Sequence, residues 1–74
     1  MMEVSVNDRL GKKILVKCMP EDTIGDFKKI LAIQMGVPLV NKIVLQKGNA
    51  VLKNHITLDD YEIHDSTNLE MYYA

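Results

Sequence analysis

Apolar and polar residues alternate along MEVSVN (2–7), with Met2, Val4 and Val6 set against Glu3, Ser5 and Asn7. A period of two is the mark of a half-buried strand. Residues 8–11, DRLG, supply Asp and Gly for a turn. KKILVKC (12–18) resumes the alternation, with Ile14, Val16 and Cys18 against Lys13, Leu15 and Lys17. Two alternating runs about a short glycine-containing loop predict a β-hairpin.

Pro20, Glu21 and Asp22 break the pattern, and the period then changes. Thr23 is a helix N-cap, with Asp26 at the third position of a capping box. Ile24, Phe27, Leu31 and Met35 follow at i, i+3, i+7 and i+11 and form one stripe of a helix. Gly36 supplies the stop, and Pro38 prevents continuation. At 100° per residue Ile33 lies nearly opposite the stripe and Ile30 on its flank. Lys28 stands at the edge of the inward stripe, so its ammonium must snorkel or find a partner.

Further along, KIVLQ (42–46) is a β-branched run with Ile43 and Leu45 on one face, Val44 and Gln46 on the other. Gly48-Asn49 turns the chain, and AVL (50–52) returns as a short strand. Thr57 opens TLDDYEI with an acid three positions on, which predicts a one-turn helix. The last strand starts at Asn68, with Leu69, Met71 and Tyr73 expected on the helix side, Glu70 and Tyr72 on the other. The order is strand, strand, helix, strand, short strand, helical turn, strand. It predicts a single α+β domain over residues 1–74, a mixed sheet of four to five strands with one main helix on one face. One strand pairing must cross over through the helix.

Composition narrows the function. With 47% hydrophobic residues, the chain favours a packed globule. Nine basic residues balance ten acidic ones, so bulk charge gives no reason to expect direct nucleic-acid or membrane binding. The opening MMEVSVNDR has neither a basic region nor an apolar run, so no secretory signal is expected there. The single cysteine, Cys18, has no internal partner and points to a reducing compartment. Its phase with Ile14 and Val16 places it in the core, so it is not expected to act as a nucleophile.

Catalysis is not expected. His55 and His64 lie nine residues apart, without zinc-ligand spacing, and the scattered glycines make no phosphate cradle, so neither metal nor cofactor is anticipated. Asp59, Asp60, Glu62 and Asp65 cluster in a loop, where capping and solubility account for them. A carboxylate pair for acid–base work needs a cleft, which so small a domain rarely contains.

The element order, the segment TLDDYEI (57–63) and the helix start TIGDFKKI (23–30) resemble ubiquitin. That resemblance covers nearly the whole chain and implies a β-grasp fold, with the first and last strands paired in parallel. VNDRLGKK (6–13), EDTIGDFKK (21–29), NKIVLQKG (41–48), YEIHD (61–65) and the terminal Tyr72-Tyr73 resemble more closely the ubiquitin-like protein five family, called Hub-one in yeasts. The family resemblance implies a non-covalent adaptor, monomeric, in nucleus and cytoplasm, that binds short arginine-bearing amphipathic helices of spliceosomal tri-snRNP proteins and modulates pre-mRNA splicing.

Residue by residue, it puts the carboxylate that meets the partner's arginine on Asp22. Ile30, Ile33 and the stem of Lys17 are candidates for an accompanying apolar strip. His64 falls at a second surface, for a DEAD-box splicing helicase. Ubiquitin's apolar receptor patch is replaced by Arg9, Gln46 and Tyr72, with Glu70 at the neighbouring histidine position. The strand ending Tyr72-Tyr73-Ala74 lacks the diglycine that conjugation requires. A covalently conjugated modifier and a stress-signalling binding module are the alternative readings.

Overall fold

The computed structural model describes residues Met1–Ala74. The amino-terminal hairpin forms as the alternation predicts: β1 (Met2–Asn7) pairs antiparallel with β2 (Lys13–Cys18), Val4 opposite Val16. Asp8 closes its turn, because one carboxylate oxygen accepts from both the Leu10 and Lys12 N–H groups, at 2.9 and 2.8 Å. Gly11, at φ 85°, takes the left-handed position that this tight reversal requires.

The helix α1 spans Ile24–Met35. Thr23 Oγ1 accepts from the Asp26 N–H at 3.2 Å, so the threonine half of the expected capping box is in place. Gly36, at φ 71°, terminates it. Its N–H donates to Ile33 O and the Val37 N–H to Ala32 O, the paired bonds of a Schellman stop. After a 3₁₀ turn at Val40–Lys42 come β3 (Ile43–Lys47), β4 (Ala50–Val51) and β5 (Asn68–Tyr73).

The sheet order is β2-β1-β5-β3-β4, with β1 and β5 parallel and every other pairing antiparallel. Parallel neighbours at the centre demand the crossover that α1 provides, and the whole is the expected β-grasp. Phe27, Ile24 and Leu31 of α1 pack on Val4, Val6, Val16, Leu45, Leu69 and Met71 in one core, joined by Leu58 and Ile63 from the long loop. Cys18 is buried in it as its phase implied, and Lys28 finds its partner in Asn54 Oδ1 at 2.7 Å.

Three details differ from the pattern read along the chain. Residues 57–62 form hydrogen-bonded turns, with the Asp60 N–H on Thr57 Oγ1 at 3.1 Å, and no helix. Glu62 interrupts it at φ 57°, incompatible with a continuing right-handed helix, and Lys47 Nζ draws the Tyr61 and Glu62 carbonyls toward itself instead. Tyr73 is 47% exposed, although it has the parity of Leu69 and Met71. It lies at the end of the sheet, where it shares a cleft with Asp8, Arg9 and Leu10 of the hairpin turn. Ser5, on the polar face of β1, is buried because β1 is central and Ser5 Oγ hydrogen-bonds Asn68 Oδ1.

Phe27 is the largest fully buried side chain, and its removal leaves a void that the rigid sheet closes only partly. Phe27→Ala is expected to destabilise the fold by about 3–5 kcal/mol. The urea midpoint measures this directly, and an unchanged midpoint would contradict the packing described.

Candidate functional site

The chain between β2 and α1 is tied to the long loop by backbone hydrogen bonds. Asp59 N–H donates to Pro20 O, Leu58 N–H to Asp22 O, Ile24 N–H to Ile56 O and Gly25 N–H to Asn54 O, at 2.9–3.0 Å. The last of these brings two backbones so close that a Cβ on residue 25 would stand 3.3 Å from Asn54 O, which explains glycine there. With Thr23 capping Asp26, the leading N–H groups of α1 are satisfied without Asp22.

Asp22 therefore turns the other way. Its Oδ2 accepts from the Met19 N–H at 2.9 Å, while the Asp22 N–H returns to Met19 O at 3.1 Å. The carboxylate is oriented by that reverse turn, with Oδ1 free of partners in the chain. Beside it Met19 is 38% exposed, an unbranched, adaptable apolar contact. The sequence reading did not single out Met19; an apolar residue between a strand end and Pro20 was the available signal. The Cys18 thiol lies close behind. Burial chiefly, and the Asp22 carboxylate second, push its pKa up to about 11, the N-terminal ammonium opposing them.

The other expected contacts are spread over different faces. Ile30 is half-buried on the β2 side of α1, the side on which Gln34 Nε2 donates to Leu15 O at 2.9 Å. Ile33, 80% exposed, lines a shallow apolar hollow with Lys29, Ala32, Val37, Pro38 and Val40. Lys17 is on the opposite face of the sheet, where it lines a depression with Met1, Glu3 and Asp65. The three residues thus do not form one strip around Asp22.

His64 opens a turn closed by its own N–H on Thr67 Oγ1 at 2.9 Å, and its imidazole is exposed. This turn docks on β1 through Asp65 Oδ1, which accepts from the Glu3 N–H. Arg9, Gln46, Glu70 and Tyr72 do meet, around one polar hollow on the sheet face away from α1, the face that also carries Lys17. The Arg9 guanidinium stacks on the Tyr72 ring, 4.4 Å from its centre, and covers the apolar surface that the ring would offer. At the end of β5 the Ala74 N–H donates to Lys42 O at 2.8 Å, so the backbone is held to the sheet through residue 74.

A mixed five-stranded sheet grasping one helix, with its surface groups fixed by turns, defines a ubiquitin-like protein. Comparison with known proteins narrows the class. The chain is 68% identical over its full length to the ubiquitin-like modifier HUB1 of Kluyveromyces lactis, and the match also spans all of that protein. It is 67% identical to the Saccharomyces cerevisiae HUB1, over 99% of each chain. It is 58% identical to ubiquitin-like protein 5 of Drosophila melanogaster, again over 99% of each. No general protein-family model matches the chain. The chain belongs to the HUB1 and ubiquitin-like protein 5 family.

Because the folded pKa of Cys18 is raised from 9.0 to about 11, the buried neutral thiol contributes stability fully below pH 9. Above that the unfolded chain gives up its proton while the folded one keeps it, so this contribution is lost as pH rises to about 11. The difference in urea midpoint between wild type and Cys18→Ala should shrink steadily over that interval. A constant difference would mean that the thiol ionises equally in both states.

Proposed function

We propose that this protein is a non-catalytic, non-covalent adaptor that binds a short arginine-bearing amphipathic helix of a spliceosomal tri-snRNP protein and so modulates pre-mRNA splicing. The observation that carries the reading is the Asp22 carboxylate. It is released from helix capping, oriented by the Met19 N–H and free at Oδ1. A carboxylate held in this way accepts a guanidinium at little ordering cost, and a charge-assisted bond of that kind is roughly twice as strong as a neutral one. Met19, 38% exposed, supplies apolar contact next to it. His64, on its separate turn, is the reading for a second partner, a DEAD-box splicing helicase, and the protein works as a monomer in nucleus and cytoplasm.

The relatives' designation as modifiers favours a second reading, covalent conjugation. Against it stands the end of β5. Tyr72 and Tyr73 are strand residues in register with Val44 and Ile43, and the Ala74 N–H is bonded to Lys42 O. These residues would have to be peeled from the sheet to enter an enzyme's active site. Mass spectrometry for a branched peptide remnant on other proteins, surviving boiling detergent, separates conjugation from simple binding.

The adaptor reading is tested by titrating a labelled amphipathic helix carrying one arginine into wild type and Asp22→Ala. Loss of the ion pair is expected to weaken binding by about 2–5 kcal/mol. Equal affinities would sink the assignment of Asp22.

A further inference from the structure

β2 is the outermost strand of the sheet, and its free edge faces solvent beside α1. Its backbone phase can be read from its partner. Glu3 donates its N–H to Asp65 Oδ1 and accepts the Ser66 N–H, and Ser5 donates to Thr67 O, so both turn their backbone groups away from β2. Directly opposed residues of an antiparallel pair exchange both hydrogen bonds or neither. Lys17 and Leu15, opposite Glu3 and Ser5, therefore aim their N–H and C=O groups outward along the free edge. Gln34 Nε2 confirms this phase by reaching the Leu15 carbonyl from α1, the single side-chain bond made to that edge.

The side chains along this edge have a pattern of their own. On the sheet face away from α1, Lys13, Leu15 and Lys17 stand in a row, with Leu15 half exposed at 50% between two ammonium groups. On the helix side, the half-buried Ile14 and Ile30 border the edge. Asn7 lies opposite Lys13 and leaves its charge unmatched, and Glu3 offsets Lys17 only in part. Pairing with a second copy is disfavoured. A two-fold antiparallel arrangement about Leu15 would set Lys13 of each copy against Lys17 of the other, which guards the edge against self-association.

From this charge and backbone pattern we infer that the β2 edge is a docking site for an extended acidic segment of a partner protein, which adds to the sheet as a sixth strand. Its backbone pairs with the outward N–H and C=O groups of Leu15 and Lys17, and one of its N–H groups takes the place of the Gln34 amide at Leu15 O. Its side chains follow from the alternation. A central apolar residue covers Leu15, acids on either side of it in the same face meet Lys13 and Lys17, and the two residues between face Ile14 and Ile30. The recognised pattern is acid, three β-formers, acid. This surface is distinct from the Asp22 carboxylate, so a partner with both a helix and such a strand gains from both at once.

The test is a titration of isotopically labelled protein with a soluble peptide bearing Glu-Val-Ile-Val-Glu between Gly-Ser flanks, and with a scrambled peptide of the same composition. Amide shifts are expected to concentrate on Lys13–Cys18 and α1 residues near Gln34, with slowed hydrogen exchange at the Leu15 and Lys17 N–H groups. The Lys13→Glu/Lys17→Glu variant, whose residue 17 then opposes Glu3 and lowers the urea midpoint modestly, should keep the folded amide spectrum and bind about tenfold or more weakly. Asp22→Ala should bind this peptide as wild type does, which keeps the outcome independent of the helix-binding reading. Shifts centred elsewhere, equal binding of the scrambled peptide, or undiminished binding by the charge-reversed variant would overturn the proposal. So would changes at Leu15 that follow protein concentration and not peptide, because the occupant would then be a second copy.

Discussion

Much of this molecule depends on how the first N–H groups of α1 are satisfied. Ile24 and Gly25 donate to carbonyls of the 54–56 segment, and Asp26 to the Thr23 hydroxyl. Unpaired, each would cost about 1–3 kcal/mol where water is excluded. The clasp fixes the long loop against the helix start, and in doing so brings Leu58 and Ile63 into the core. It also releases Asp22 from the capping role that its place beside a helix N-terminus suggests.

That release gives the candidate site its character. A capping carboxylate spends its lone pairs on the helix. Asp22 instead spends one oxygen on Met19 and presents the other, in a fixed direction, beside a flexible apolar side chain. The opposite end of the sheet is treated in the reverse manner. There Arg9 lies across the Tyr72 ring and the Ala74 N–H is bonded to Lys42 O, so ring face and strand end are occupied within the molecule. Of the positions that resemble ubiquitin's patch, Arg9 and Tyr72 engage each other, while on the hairpin side Asp22, Met19 and the β2 edge stay free.

Lys28 shows how tightly this small core is used. Its stem lies in the inward stripe of α1, and burial lowers the pKa of its ammonium, yet Asn54 Oδ1 accepts from it at 2.7 Å. Asn54 is the residue whose carbonyl also receives Gly25, so one loop position serves both the helix start and the buried cation. A charge in such a place marks the loop's register against the helix more sharply than apolar contact can, because a shifted loop would strand it.

The strands, the helix with both its ends, and most of the core were legible in the chain, because period two, period 3.6, Thr23 and Gly36 are local signals that burial only reinforces. The kinship was legible too, in stretches such as EDTIGDFKK. The direction of the Asp22 carboxylate was not, since its competitors for the helix donors come from residues 54–56, thirty positions away. Nor were the exposure of Tyr73, which has core parity but lies beyond the core's end, the turns at 57–62 held by Lys47, or the scatter of Lys17, Ile30 and Ile33 over separate faces. Local patterning states which side chains want burial. Which backbone groups and charges remain free depends on partners distant in sequence, and only the tertiary fold brings those into reach.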